Sequence, residues 1–298
     1  MLDVQAAVFG RNEAKRIEAC LGSLCASIGT RRAQVTVVLN GCTDGSPAIA
    51  RAFAARSTVP IRVCLIEHAD KSNAINQFHY ALRHPARMYV GVDAYATMNP
   101  GAIGAMEDCL SAHPDANAVG TMAGNGRTSP AANAAVLSDG GSIRGQLYAL
   151  RGDFVDRMVA AGLRLPVGLY RGDGLLGAFA RHNLVGTAPS HPARIPGTAG
   201  AVFFIEPLKP WRAADLKRQW GRMIRQQRGR MENAAIRGIV HEQGFAALPD
   251  DADAMLAAFL QTQAFSALPG TKGILARLAV AEIRRGPPVR GPLTATCG

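Results

Sequence analysis

Along the first half of the chain, short apolar runs alternate with amphipathic stretches. Residues 5–9 form a brief apolar run. In residues 13–28, Ile17, Cys20, Leu21, Leu24 and Ile28 recur at three and four, which is one face of a helix. Residues 34–39 are rich in β-branched side chains and read as a buried strand. Residues 41–46 form a turn; Ser46 can cap the next helix, with Pro47 at its first position. Strand 61–66, helix 72–83, strand 88–93, helix 100–112 and strand 118–122 continue the alternation. Strands and helices in units of about 30 residues predict an α/β fold with a mostly parallel sheet flanked by helices. In such sheets ligands bind beyond the carboxyl ends of the strands.

The second half is less regular. Residues 124–142, rich in Gly, Ala, Ser and Asn, read as a mobile loop. A strand over 145–150 leads into a helix to about residue 161, and 172–182 read as another helix. Residues 189–200 are a Pro/Gly-rich connection, 211–232 a long basic helix, and the chain from Gly286 a loose tail. The expected division is a catalytic unit over 1–205 and a basic, mainly helical extension over 206–298. Trp211 and Trp220 are expected to pack.

Composition narrows the class. The chain has 298 residues, enough for a full core, and 48% of them are hydrophobic, too many for a disordered chain. No run of about 18 apolar residues spans a membrane, and the first residues carry no secretory pattern. The six cysteines make no C-x-x-C pair and sit mostly in apolar runs, so buried free thiols in a reducing cytoplasm are expected. His79, His84, His191 and His241 show no metal spacing. The net charge is +11, and Lys209, Arg212, Lys217, Arg218, Arg222, Arg225, Arg228, Arg230 and Arg237 concentrate it in one segment. That implies an anionic partner: a pyrophosphate, an anionic membrane surface or nucleic acid. Nucleic acid ranks last, because aromatic residues are few and no recognition motif occurs.

The candidate chemistry lies at the strand ends. The first four strands lead into Arg11-Asn12-Glu13, Asn40-Gly41-Cys42-Thr43-Asp44, Asp70-Lys71-Ser72-Asn73 and Asp93-Ala94-Tyr95. One polar turn is only a turn, but four on one edge converge on a site. There is no Walker A loop and no G-x-G-x-x-G. A diphosphate bound here would be neutralised by a metal or by Lys and Arg side chains.

These residues carry a resemblance to glycosyltransferase family 2. Phe9-Gly10-Arg11-Asn12-Glu13 resembles the family's opening Tyr-Asn-Glu segment, and Leu39-Asn40-Gly41-Cys42-Thr43-Asp44-Gly45 its Asp-Asn-Gly-Ser-Thr-Asp-Gly segment. The segment from Asp70 to Asn76 is similar to Gly-Lys-x-x-Ala-x-Asn, and Val92-Asp93-Ala94-Tyr95 to the strand ending in Asp-x-Asp. Residues 145–150 look like the strand before the acceptor region, and Arg171-Gly172-Asp173-Gly174 sits where the family has its Glu-Asp pair. The resemblance covers about residues 4–185.

The resemblance implies a GT-A-like, Rossmann-type fold and an inverting transfer from a nucleoside-diphosphate sugar, with uridine the commonest base. Phe9, Arg11, Glu13, Asn40, Asp44, Lys71, Asn73 and Asp93 would bind the nucleotide sugar, and Asp173 would deprotonate the acceptor hydroxyl. Asp93 would also face a divalent Mg²⁺ or Mn²⁺. Leu39, Arg11 and Tyr95 depart from the pattern; Tyr95 replaces the second acid of Asp-x-Asp and is a poor ligand for a hard cation. Two alternatives therefore stay open at this stage: arginines in place of the metal, or donor binding without transfer. The acceptor is not legible; a lipid-linked one would suit a cytoplasmic protein whose basic helix touches a membrane surface.

Overall fold

The structure, a computed structural model, describes residues 1–126, 129–207, 213–268, 270, 273–286 and 291–298, with the backbone alone for 213–218. Four parallel strands form the centre: β1 (Leu2–Gly10), β2 (Ala33–Asn40), β3 (Ile61–Ile66) and β4 (Ala86–Asp93). Helices α1 (Ile17–Ile28), α2 (Ser46–Ala54) and α3 (Lys71–Gln77) make the crossovers between them. β1, β2 and β4 are buried on both faces, which is why they read as near-continuous apolar runs.

The sheet continues beyond β4 through β5 (Ala96–Met98), β6 (Ala118–Ala123), β7 (Leu147–Arg151) and β8 (Gly197–Ile205), and β9 (Thr296–Cys297) closes the other edge. The spatial order is β5-β8-β6-β7-β4-β1-β2-β3-β9. Helices α4 (Ala102–Ala112), α5 (Ser129–Ser138), α6 (Gly152–Ala160) and α7 (Gly172–Arg181) lie between those strands in sequence. The C-terminal part holds α8 (Ala213–Gln243), α9 (Ala252–Phe259), α10 (Gln263–Ser266) and α11 (Ile274–Arg285).

Two apolar layers cover the sheet. On one face, Val4, Ala6 and Val8 of β1 pack with Leu21 and Leu24 of α1 and Met106 of α4. On the other, Ala7 and Phe9 pack with Ile75, Phe154 and Phe179, and α8 adds Ala235, Ile236 and Val240 to that layer. The long helix is thus built into the core at its C-terminal end. It also nucleates a smaller cluster with α9 and α11 through Met231, Leu256 and Ala279.

Several expectations are corrected. The segment expected to be a mobile loop contains α5, an Ala-rich stretch whose Asn133 side chain binds the backbone of Ala123 in both directions. The Pro/Gly-rich connection contains the start of β8, which pairs with both β5 and β6. The helix expected over 72–83 ends as an α-helix at Gln77 and continues as a π-helical turn, Phe78–Leu82. Ser46 is not a cap: Gly45 holds that position, and the Ser46 hydroxyl instead accepts from Glu13 N at 2.7 Å and donates to Asp44. The end of the tail is pinned, because β9 pairs antiparallel with β3 and Cys64 and Cys297 form a disulfide. Those two thiols are therefore not free; Cys20, Cys25, Cys42 and Cys109 are. Trp220 is 53% exposed rather than packed. Trp211, Lys209 and Arg212 lie outside the described residues.

Candidate active site

The parallel register brings the ends of β1, β2 and β4 to one edge, with Phe9 beside Asp93 and Gly10 beside Leu39. Because β7 runs antiparallel to β4, the residues entering it, Gly145 and Gln146, arrive at the same edge. A cavity of about 580 Å³ opens there. Phe9, Arg11, Glu13, Asn40, Lys71, Asp93 and Asp173 line it. So seven of the residues singled out from sequence meet in one place.

Asp93, only 5% exposed, is the last residue of β4. Lys71 begins α3, whose N-terminus is capped by the Asp70 side chain accepting from Asn73 N at 2.7 Å. That start aims the Lys71 ammonium at Asp93, with Nζ 2.5 Å from Oδ1. Lys71 also reaches the Gly145 carbonyl at 3.4 Å, and Gly145 N donates to Asp173 Oδ2 at 3.1 Å. Gly145 thus touches Lys71 and Asp173 directly, and its lack of a side chain lets both approach. A Cβ there would lie 2.9 Å from both Lys71 Nζ and Asp173 Oδ2. Asp173 enters from the first turn of α7.

Burial lifts the Asp93 carboxyl above the ordinary carboxylate range, and the Lys71 ammonium and Tyr95 hydroxyl work against that rise. For Lys71 burial disfavours the charge, but Asp93 and Asp173 outweigh it, so the ammonium is held more firmly than usual. Tyr95, in place of a second acid, lies close to Asp93 and accepts from Gln146 Nε2 at 3.2 Å. Burial and the Asp93 charge push its phenol well up, so it remains a neutral hydroxyl.

Two residues singled out from sequence sit beside the cavity without lining it. Asp44 accepts from Ala14 N at 3.1 Å and Ser46 N at 3.0 Å, lacing the loops after β1 and β2 together. Asn73 is buried and donates to the Leu293 carbonyl of the C-terminal tail at 2.7 Å. Conversely, Tyr95, Gln146, Tyr170, Arg171, Arg222, Gln226 and Asn233 line the cavity without having been assigned to it. For Arg222, Gln226 and Asn233 a signal existed: spacings of four and seven put them on one face of the basic helix. Nothing local says that this face turns to the sheet edge.

Among the described residues no group of three His, Cys, Asp or Glu side chains is placed to hold a metal. The donor set does not make a closed protein cage. It fits an ion carried in on a diphosphate, for which one carboxylate plus phosphate oxygens suffices. Asp93 would be that carboxylate, and Lys71 now occupies one of its oxygens.

A GT-A arrangement is what this sheet and edge cavity define. Residues 8–147 match the family model described as Glycosyl transferase family 2, so this stretch of the chain is similar to glycosyltransferases of that family. Among solved structures, it is similar to the mannosyltransferase PcManGT from Pyrobaculum calidifontis in complex with GDP-Man and Mn²⁺. That likeness has 19% identity and a TM-score of 0.62, covering 97% of this chain and 76% of that one. The S. aureus protein TarS, residues 1–349 in complex with UDP-GlcNAc, aligns at 15% identity and a TM-score of 0.55, covering 96% of this chain and 82% of that one. No curated protein matches the sequence. Among the described residues no helix is long and apolar enough to cross a membrane.

Proposed function

We propose that the protein transfers a sugar from a nucleoside-diphosphate sugar to an acceptor hydroxyl, with inversion at the anomeric carbon. The observation that carries this reading is the convergence of Lys71, Asp93 and Asp173 around Gly145 in one cavity. Phe9, Arg11, Glu13 and Asn40 line the part of the cavity that would take base and ribose. Asp44 and Asn73 serve the donor indirectly, by fixing the loop after β2 and helix α3. Asp173 takes the proton from the acceptor hydroxyl as its oxygen bonds to the anomeric carbon. The bond from that carbon to the diphosphate oxygen breaks, and the nucleoside diphosphate leaves with the electron pair. Lys71, Arg171 and Arg222 line the cavity where the leaving charge develops. A divalent ion, when bound, would neutralise part of the same charge, with Asp93 as its protein ligand.

In this reading residues 1–205 bind donor and acceptor, and 206–298 close the site. Uridine is the first base to try, and GDP-mannose the natural comparison, given what the similar structures hold. Exposed Trp220, on the same helix as Arg222 and Arg225, supports a membrane-peripheral enzyme, which a lipid-linked acceptor would suit. Flotation with vesicles that does not depend on anionic lipid would remove that part. The reading as a whole is tested by a thermal-shift screen of UDP, GDP and their sugars, with EDTA or Mn²⁺. Stabilisation by one nucleoside diphosphate is the expected result; none by any would contradict donor binding. A second reading, donor binding without transfer, is favoured by Tyr95. It predicts the same stabilisation with no release of nucleoside diphosphate from any donor and acceptor tried.

A further inference from the structure

A buried carboxylate on the long C-terminal helix contacts the chain just ahead of Asp173. Glu232 of α8 is 0% exposed. Such a group is tolerated inside a protein only where its charge is answered by donors. Here the answer is the backbone just ahead of α7. Tyr170 N donates to both oxygens of Glu232 at 3.1 Å. Arg228, one turn earlier on α8, completes the set with Nε 2.9 Å from Glu232 Oε1. Arg228 is itself held by Asp253 of α9 at 2.9 Å and reaches the Gly168 carbonyl at 2.9 Å. Burial lifts the Glu232 carboxyl, and Arg228 and the backbone donors oppose that rise.

The same turn is held from its other side by α3. Asp70 accepts from Gly168 N, and Ser72 Oγ donates to the Leu169 carbonyl at 2.9 Å. Lys71 sits between those two residues. Gly172 then starts α7 hard against Ser72: a Cβ at Gly172 would lie 2.5 Å from Ser72 Oγ. Residues 168–171 are therefore a strap between α3 and α8, and Asp173 hangs from its end. The Glu232 carboxyl lies beside the start of α7, where the helix dipole favours negative charge.

We propose that Glu232 is a positioning residue for Asp173, acting through the backbone N–H of Tyr170, with Arg228 and Asp253 holding it in place. This rests on the reading of Asp173 as the base. The extension after residue 206 thereby sets the geometry of the reaction without its carboxylate touching substrate.

Two measurements on the full chain test this. The first needs no substrate: hydrogen exchange of the wild type and of Glu232→Gln, a near-isosteric change that leaves the Arg228–Asp253 pair intact. Faster exchange confined to residues 168–176, with the peptides of β1, β2 and β4 unchanged, is expected. Unchanged exchange over 168–176 would overturn the proposal. The second is transfer kinetics with the UDP- and GDP-sugar panel. Glu232→Ala is expected to lower kcat by about 10–100-fold, the usual cost of a small misplacement of a reacting group. Donor KM should stay within about threefold, and Glu232→Gln, which still accepts from Tyr170 N, should recover part of the loss. An unchanged kcat, or a loss appearing wholly in donor KM, would overturn it. Asp173→Asn run in parallel separates the two ideas. If that variant transfers normally, the base assignment fails, and the exchange result still judges the strap.

Discussion

Lys71 Nζ lies 2.5 Å from Asp93 Oδ1, so the carboxylate that a diphosphate-borne cation would use is already paired with an ammonium. The two compete for one role. Lysine is the resident cation, and in the proposed reading a metal ion would have to displace it or share Asp93 with it.

Lys71→Ala should therefore do two things. Affinity for the nucleoside diphosphate measured in EDTA should fall about tenfold, the scale of a lost charge-assisted contact of about 1.4 kcal/mol. Added Mn²⁺ should then restore binding in the variant more than it improves the wild type, because Asp93 is freed. Calorimetric titration with and without Mn²⁺ reads both. Equal metal enhancement in the two proteins would show that Lys71 and the ion do not compete.

His79 makes stability depend on pH. It is buried in the π-helical turn against Phe78 and Tyr89, and neither ring nitrogen has a hydrogen-bond partner. Burial, helped by the nearby Arg83 charge, lowers its pKa from 6.5 to about 3. Between those values the unfolded chain binds a proton that the folded one does not. Stability is unaffected above pH 6.5 and falls as pH drops through that window, by about 1.4 kcal/mol per unit from this group. His79→Phe should remove that part of the slope in urea unfolding between pH 7.5 and 5. Parallel stability curves for the two proteins would contradict the assignment.

The Cys64–Cys297 disulfide closes a loop of 233 residues and fixes the strip of chain that accepts from Asn73 at Leu293. Cys297→Ser should lower stability by about 2–4 kcal/mol, the usual range for such cross-links. Nucleotide affinity should weaken by less, since Lys71 is held at its cap by Asp70 rather than by the tail. Unfolding curves with and without reductant measure the first effect, and an unchanged midpoint would refute it.

The central fold was legible because β1, β2 and β4 are buried on both faces and the crossovers are short helices. The polar residues at their ends then had only one edge to occupy, and Lys71, Asp93 and Asp173 do meet there. What was not legible depends on pairing between distant segments. β5 has only three residues, too few for a pattern, and β8 starts inside the Pro/Gly-rich stretch that reads as a connection, although its second half, residues 201–205, is an apolar run. Cys297 finds Cys64 only because β9 docks on the edge of β3. Asp44 and Asn73 sit in the right motifs, yet their side chains are spent on loop and tail backbone. Glu232 reads in sequence as one acid on a basic helix; only burial against Tyr170 gives it meaning.

The most direct test of the account is Asp173→Asn, measured for both transfer and nucleotide binding. Asp173 touches Gly145 N and lines the cavity, but it does not line the strand ends assigned to base and ribose. Loss of a general base predicts transfer reduced by about 10²–10⁴-fold, with the nucleoside diphosphate bound within about threefold of wild type. Transfer at the wild-type rate, with the true donor and acceptor, would contradict the account.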